Sequence, residues 1–268
     1  SDKFEERRQE LISEGKNEFL EMVEFYTMKN VFYLSVESRW SYIINNSKQD
    51  DISLLIDSAL HDIEKNNPSL KGALPDNYFS RIDIEHNKLS TLLDTINDID
   101  TLKDKQQDIV GRVYESFLSK FALAEGKGKG EFYTPKSIVN LIAEMIEPYE
   151  GVIYDPACGT GGMLLECIYD LQKTGKDHRT LELYGQEKNL TSSSIAKMNM
   201  FLHGIEDFQI KRGDTLRNPA FFESDGLKTF DCVIANPPFS LKDWGYEAWE
   251  DDPFGRNIFG TPPKSNGD

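Results

Sequence analysis

Near the end of the chain, an apolar run stops at Asn236-Pro237-Pro238-Phe239. The Asn236 amide offers one acceptor oxygen and two donor hydrogens. The Pro237 carbonyl is excluded from a regular strand ladder, because Pro238 follows it and lacks an N–H. Two fixed acceptors could therefore hold both hydrogens of an exocyclic –NH₂, while Phe239 covers the ring that carries it. We interpret these four residues as a catalytic grip for adenine, cytosine or an amide.

A second segment with chemical potential runs from Tyr154 to Leu164 and reads Y-D-P-A-C-G-T-G-G-M-L. Glycines after a strand permit a tight turn and the close approach of a ligand to backbone N–H groups. The segment is neither the dinucleotide fingerprint nor a Walker loop. Asp155 adds negative charge, so a cation-bearing ligand fits better than a pyrophosphate; a turn required only for packing is the alternative. The candidate ligand-binding residues are Asp155, Ala157, Gly159, Thr160, Gly161 and Gly162.

Two more acidic residues close predicted strands. Glu187 ends the next strand, where a carboxylate can accept hydrogen bonds from two ribose hydroxyls; a solvent-exposed glutamate beside Lys188 is the alternative. Asp214, in R-G-D-T, could accept from the amino group of an adenine ring. An Asx turn or helix cap at the strand exit would explain Asp214 equally well.

A helix is predicted upstream, with Thr134 as its N-cap and Pro135 at its first position. The Phe132-Tyr133 pair precedes that helix, whose free N–H groups favour a carboxylate; a structural staple is the alternative. The segment under consideration as a ligand contact is Glu131, Phe132, Tyr133, Thr134, Pro135 and Lys136. The residues predicted to form the buried face of the helix are Ile138, Leu141, Ile142 and Met145.

The elements that must position these side chains alternate between strand and helix. Strands are predicted at 151–155, 181–187, 208–214 and 230–236, and helices at 161–171 and 190–202. Such alternation predicts an α/β fold with a parallel, doubly wound sheet. In such a sheet the carboxyl ends of the strands share one crevice, so all the candidate residues are expected to meet there.

The first half of the chain has a different sequence pattern, which is mainly helical. Amphipathic helical patterns occur at 52–63, 89–99 and 107–123, and 31–44 combines a short extended piece with a helix near Trp40. The segment 124–131, A-E-G-K-G-K-G-E, is a flexible basic boundary, either a solvated linker or a phosphate-contacting lid. We therefore predict a helical domain over residues 1–128 and a catalytic domain over residues 129–268.

Composition narrows the class of protein. A formal net charge of −16 opposes simple nucleic-acid binding, because phosphate contacts need Lys and Arg. Three cysteines without paired spacing fit a reducing, cytoplasmic setting, and the four histidines show no metal-ligand spacing. No apolar run is long enough to span a membrane, and the charged start is not a signal peptide. The chain begins and ends abruptly, so we expect a sheet truncated at its C-terminal side.

The combination D-P-A-C-G-T-G-G, an acidic strand end and N-P-P-F resembles the S-adenosylmethionine-dependent DNA amino-methyltransferases. The order of these motifs, with E-F-Y-T-P-K and the glycine segment before N-P-P-F, is similar to the gamma arrangement of that family, in which the cofactor motifs precede the catalytic motif. Other stretches resemble the modification subunit of type I restriction–modification systems. These are N-V-F-Y-L-S-V-E-S-R-W, N-N-P-S-L-K-G-A-L-P and the tail through D-D-P-F and G-T-P-P-K-S-N-G-D. The resemblance extends over essentially the whole chain.

The resemblance implies a Rossmann-like methyltransferase domain that transfers a methyl group to N6 of a flipped-out adenine. It implies that 131–136 and 160–162 contact S-adenosyl-L-methionine, that Glu187 binds its ribose and that Asp214 lies by its adenine. It also implies a specificity subunit, restriction subunits and double-stranded DNA as partners, with two modification subunits per complex. The alternatives are a methyltransferase acting on a protein glutamine or on RNA, and a non-catalytic assembly module.

Overall fold

A computed structural model describes residues 1–82, 84–98, 114, 116–118, 120, 134–148, 150–205, 207–238 and 241–265. The chain divides into two compact units, Ser1–Ile109 and Val110–Asp268. The domain boundary predicted after residue 128 lies outside the described residues and stays a prediction.

The first unit is helical in its described part. Its helices are α1 (Asp2–Ser13), α2 (Glu24–Thr27), α3 (Trp40–Asn45), α4 (Ile52–Asn66) and α5 (His86–Asn97), with short 3₁₀ turns at Asn17–Phe19, Val36–Ser38 and Pro68–Leu70. The pattern predicted for α4 is confirmed, because Ile52, Ile56 and Ala59 are buried against α5. The extended piece predicted near residue 31 forms no strand, while the helix at Trp40 is confirmed. The pattern predicted at 107–123 lies largely outside the described residues.

The second unit contains the parallel sheet. Its elements are α6 (Lys136–Ile146), β1 (Gly151–Asp155), α7 (Gly162–Lys173), β2 (Leu181–Glu187), α8 (Leu190–Leu202), β3 (Phe208–Arg212), β4 (Phe222–Glu223), β5 (Gly226–Leu227), β6 (Cys232–Val233) and α9 (Tyr246–Glu250). The strand order is β3-β2-β1-β6, with every neighbouring pair parallel. The predicted α/β class with a parallel sheet is confirmed.

Two predicted strands are longer than the strands observed. The fourth shrinks to Cys232–Val233, although the Ile234 N–H still bonds the Tyr154 carbonyl at 2.9 Å. Ladder pairing stops there because Pro237 and Pro238 have no N–H to donate. The third ends at Arg212, and the Gly213 N–H then donates to the Glu187 carbonyl at 2.9 Å. Both strands stop before the residues that were expected to do chemistry.

The buried face predicted for α6 is wrong. Ile138, Leu141 and Met145 are 46%, 57% and 75% exposed, whereas Val139 and Ala143 are buried. The helix packs against α7 through this face of smaller side chains, which permits close approach. Of the predicted residues only Ile142 contacts the core.

The core of the second unit lies between the sheet and its helices. Ile153 of β1, Leu183 of β2 and Ile210 of β3 pack with buried residues of α7 and α8. This packing fixes the strands, and therefore the loops that leave their carboxyl ends. Across the described ranges, each helix is too short or too polar to cross a membrane.

Candidate functional site at the carboxyl edge of the sheet

The four strands of the sheet are parallel, so the loops that follow them emerge at one edge. β1 has β2 on one side and β6 on the other, and the strand order reverses between β1 and β6. A ligand crevice is expected outside the carboxyl ends at such a reversal. The loop after β1 and the segment 236–238 after β6 border that position, as the sequence predicted.

The glycine loop after β1 is tied to the end of β2. The Cys158 N–H donates to the Gln186 carbonyl at 3.1 Å, and the Gly159 N–H donates to Glu187 Oε2 at 3.0 Å. Glu187 Oε1 accepts from the Asn189 N–H at 2.7 Å. Each carboxylate oxygen of Glu187 therefore has one backbone donor and retains a lone pair for a ligand hydroxyl.

Asp155 lies under this loop and is 1% exposed. Its Oδ1 accepts from the Ala157 N–H at 3.0 Å, which holds the start of the loop. Burial raises the pKa of Asp155 to about 7, and the nearby Glu187 charge adds to the rise, while the Ala157 hydrogen bond opposes it. The carboxyl group is therefore poised between its charged and neutral forms near neutral pH.

Gly161 and Gly162 differ in whether a side chain could be accommodated at their positions. Gly161 has φ of +81° and caps α7, and a Cβ there would lie 2.8 Å from Met200 Cε. A Cβ on Gly162 would enter open space. Thr160 is buried, and its carbonyl accepts from Asn199 Nδ2 at 3.1 Å. The loop is therefore packed against α8 at Thr160 and Gly161, and it has open space at Gly162, the first residue of α7.

Asp214 is engaged within the protein. Its Oδ1 accepts from the Leu216 and Arg217 N–H groups at 3.1 and 3.3 Å, and its Oδ2 contacts Lys188 Nζ at 2.9 Å. Burial opposes ionisation, but Lys188 and the two N–H groups bring the pKa of Asp214 below its ordinary value. The Asx turn weighed from the sequence is present, and a contact with a cofactor stays a prediction.

Asn236 meets the segment before α6. Its Nδ2 donates to Thr134 Oγ1 at 3.2 Å. The predicted N-cap role of Thr134 is wrong: Pro135 occupies the cap position, and its carbonyl accepts from the Ile138 N–H at 2.9 Å. The structure therefore brings two of the predicted segments together through a side-chain contact.

Part of the predicted site falls outside what the structure describes. Glu131, Phe132, Tyr133 and Phe239 lie there, and of Lys136 only the backbone, at the first position of α6, is described. Pro237 and Pro238 are exposed beside Asn236. Within the described ranges, no cluster of three or more His, Cys, Asp or Glu residues could hold a metal ion.

Sequence reasoning missed Gln186, which is fully buried beside Glu187. Its Oε1 accepts from the Ala220 N–H at 3.0 Å and from Tyr154 Oη at 3.2 Å, and its Nε2 donates to the Asn218 carbonyl at 2.8 Å. The side chain thus fastens the loop after β3 to β1 and β2. A polar residue directly before the candidate Glu187, near the end of a predicted strand, was the available signal.

Arg256 was also missed, although it lies in the tail that carries the resemblance. Its guanidinium donates to the Thr215 and Leu216 carbonyls, each at 2.7 Å, and forms an ion pair with Asp252 at 2.6 Å. Thr215 Oγ1 in turn donates to the Pro156 carbonyl at 2.6 Å. The tail therefore supports the loop of Asp214, which supports the loop after β1.

Comparison with known proteins identifies the family of the chain. Residues 1–99 match the family described as HsdM N-terminal domain, and residues 105–268 match the family described as N-6 DNA Methylase. The type I restriction enzyme MjaIX methylase subunit of Methanocaldococcus jannaschii is 33% identical over 98% of this chain and 50% of its own length. The HindI methylase subunit of Haemophilus influenzae is 39% identical over 82% of this chain and 50% of its own length.

A solved structure shares the fold. The type I restriction-modification system methyltransferase subunit of Streptococcus thermophilus superposes with a TM-score of 0.75 and 22% identity, over 97% of this chain and 56% of that one. The chain thus spans about half the length of the relatives it matches. Because residues 105–268 match the N-6 DNA Methylase family and residues 1–99 match the HsdM N-terminal domain family, this chain belongs to the family of type I restriction enzyme methylase subunits and contains an N-6 DNA methylase domain.

Proposed function

We propose that this chain forms the cofactor- and base-binding part of a subunit that methylates the N6 amino group of adenine in DNA. One observation carries the proposal: a single sheet edge holds the glycine loop, Glu187, Asp214 and Asn236-Pro237-Pro238 around the reversal of strand order. Membership of the N-6 DNA methylase family supports it. The N6 position is favoured over the amino group of cytosine by that family, since both amines suit the same two acceptors.

The residues present fit S-adenosyl-L-methionine. The Glu187 carboxylate at the end of β2 suits a cationic ligand with ribose hydroxyls and would repel a pyrophosphate, whereas Asp214 is paired with Lys188. Glu187 has lone pairs left for the hydroxyls, and the open space at Gly162 admits the close approach of a ligand to the loop. When bound, this cofactor supplies a methyl group activated by a positively charged sulfur. The contacts proposed from 131–136 complete the binding site.

Asn236 and Pro237 prepare the nucleophile. The adenine amine is a weak nucleophile because its lone pair is delocalised into the ring. When Asn236 Oδ1 and the Pro237 carbonyl each accept one amine hydrogen, the nitrogen is favoured in a tetrahedral form whose lone pair points away from the ring. With its lone pair free, this nitrogen would accept the methyl group that the bound cofactor supplies, while Asn236 and Pro237 hold the amine, and one amine proton would pass to solvent water. We therefore expect the rate of methyl transfer to be increased mainly by the positioning of the amine and by the two acceptor oxygens.

Phe239 and Pro238 hold the base. We propose that Phe239 stacks on the ring, while Pro238 stiffens the backbone and frees the Pro237 carbonyl from strand pairing. A base inside a duplex cannot reach two acceptors at a sheet edge, so the adenine must be flipped out. Unpairing that base costs a few kcal/mol, which DNA contacts elsewhere must offset.

The net charge of this chain favours partner subunits as a source of those DNA contacts. A chain of net charge −16 is poorly suited to gripping phosphates alone. We propose that a specificity subunit reads the DNA sequence, that two modification subunits join it and that restriction subunits add to the complex. Residues 1–128 would serve assembly and clamping around DNA in the cytoplasm.

Asn236→Ala tests the proposal in the full-length subunit assembled with its specificity subunit. We expect the variant to lose N6-methyladenine formation, measured by nucleoside mass spectrometry, while calorimetric affinity for S-adenosyl-L-homocysteine stays within about twofold. Asn87→Ala, at an exposed position of α5, is the matched control and should retain activity. Full activity of Asn236→Ala would contradict the assignment, as would methyl transfer by the wild type to RNA or protein but not to DNA.

A further inference from the structure

Thr134 holds the amide of Asn236 across a long sequence separation. The two side chains meet at 3.2 Å although 102 positions separate them in the sequence. Thr134 stands directly before Pro135, the cap residue of α6, and Asn236 stands two residues after Ile234, whose N–H makes the last pairing bond of β6. The contact therefore joins two different segments of the crevice.

The orientation of the contact decides what Asn236 can offer. An asparagine amide has an acceptor oxygen on one side and a donor nitrogen on the other. In this structure the nitrogen faces Thr134, so the hydroxyl oxygen accepts and the amide oxygen is directed away from it. A rotated amide would present N–H groups to an incoming amine, and two donors facing each other cannot form a hydrogen bond.

The backbone on each side keeps the two groups in register. Pro135 follows Thr134 and occupies the cap position of α6, where its own carbonyl serves the helix N–H groups. The Thr134 hydroxyl is consequently not used for capping and remains available to Asn236. Pro237 follows Asn236, so each partner is succeeded by a residue with a fixed φ.

We propose that Thr134 is a positioning residue: its hydroxyl restrains the Asn236 side chain in the orientation of this structure, with the amide nitrogen on Thr134 and the amide oxygen left for the target amine. This inference rests on the proposed function and deepens it. It assigns Thr134 a role in base capture, beyond the cofactor contact that the family resemblance implies. A preset amide reduces the freedom that must be lost when the base enters, so the effect is expected in kcat and base capture.

Thr134→Val removes the hydroxyl and keeps the shape, and it is studied in the full-length subunit assembled with its specificity subunit. At saturating cofactor we expect kcat to fall about tenfold, as for the loss of one orienting hydrogen bond, with the Kd for S-adenosyl-L-homocysteine within about twofold of the wild type. Thr134→Ser, which retains the hydroxyl, should recover most of kcat. Thr95→Val, at an exposed position of α5, is the matched control.

Base capture is read separately, from the fluorescence of 2-aminopurine placed next to the target adenine, so that the target keeps its N6 amine and the probe loses its stacking partner when the target flips out. We expect Thr134→Val to reduce the fluorescence gain on binding. In an Asn236→Ala background at saturating cofactor, the same substitution should have no further effect on base capture, because Thr134 acts on the base through that amide. If valine lowers the melting temperature markedly, Thr134→Ala, which only shortens the side chain, is measured in the same way.

Two results would overturn the inference. One is a Thr134→Val complex with wild-type kcat and 2-aminopurine response; the other is a weakened cofactor Kd with normal base capture at saturating cofactor. Failure of the proposed function looks different, because the wild-type complex itself would then form no N6-methyladenine.

Discussion

Asp155 makes the stability of the second unit depend on pH in an unusual direction. The pKa of this buried carboxyl is raised from 3.8 to about 7, chiefly by burial and further by the neighbouring Glu187. Between these two values the unfolded chain has released its proton while the folded chain keeps it. The free energy of unfolding therefore falls as pH rises from about 4 to about 7. At 1.36 kcal/mol per pH unit, the total is about 4 kcal/mol.

Asp155→Asn removes the titration and keeps an oxygen for the Ala157 N–H. We expect the variant to gain stability over the wild type as pH rises, reaching an advantage of up to about 4 kcal/mol at pH 8 relative to pH 4. Urea denaturation at pH 4, 6 and 8 measures the difference. Asp225→Asn, which removes the same charge from an exposed turn, should show no such trend. A pH-independent difference between Asp155→Asn and the wild type would refute the reasoning.

Two further predictions concern the loops of the crevice. Gly161→Ala should lose about 1–2 kcal/mol of unfolding free energy, because φ is +81° and the new methyl meets Met200, whereas Gly162→Ala should stay within about 1 kcal/mol yet weaken calorimetric binding of S-adenosyl-L-homocysteine. Equal stability of the two variants would contradict this. Gln186→Leu should lose roughly 2–4 kcal/mol by urea denaturation, since it leaves buried polar partners unpaired, while exposed Gln209→Leu should stay within about 0.5 kcal/mol; matching losses would point to strand propensity instead.

The sheet could be read from the sequence because its strands are short apolar runs with a polar residue at each end. β1 and β2 have the predicted bounds, since apolar residues recur along each strand and Glu182 is the one exposed residue in the two strands. The edge strand β6 is shorter than its apolar run, because a run of apolar residues does not record where pairing stops. Asp214 and Asn236 lie in the segments that follow β3 and β6, because both strands end earlier than predicted.

The face of α6 shows where periodicity is insufficient. The helix has two apolar stripes at helical spacing, one with Ile138, Leu141 and Met145 and one with Val139 and Ala143. Hydrophobicity favours the larger side chains, yet the smaller ones face α7 because they let the helices approach closely. The choice depends on the surface that meets the helix, and that surface is formed by residues distant in sequence.

The hydrogen-bond and ion-pair partners of polar side chains could not be predicted from the sequence either. Asp214 was located at its strand end, but its pairing with Lys188 depends on two loops that only the folded sheet brings together. Thr134 has the sequence context of a helix cap, and its hydroxyl instead reaches a residue 102 positions away. Sequence patterns predict hydrogen bonds between residues that are near each other in the chain. The partners of Asp214 and Thr134 are instead brought into contact by the tertiary structure.

The acidic residues of the crevice differ in how much charge they present to a ligand. The high pKa of Asp155 keeps a large part of its population neutral at pH 7, Glu187 keeps two backbone donors, and Asp214 is paired with Lys188. Glu187 is therefore the carboxylate whose charge is least compensated by a neighbouring group in the described part of the site. On the proposed function, one such charge is enough to favour a cationic cofactor and would still repel a DNA phosphate. The target adenine must consequently enter with its phosphates held away from this edge, which agrees with a flipped base delivered by DNA that partner subunits bind.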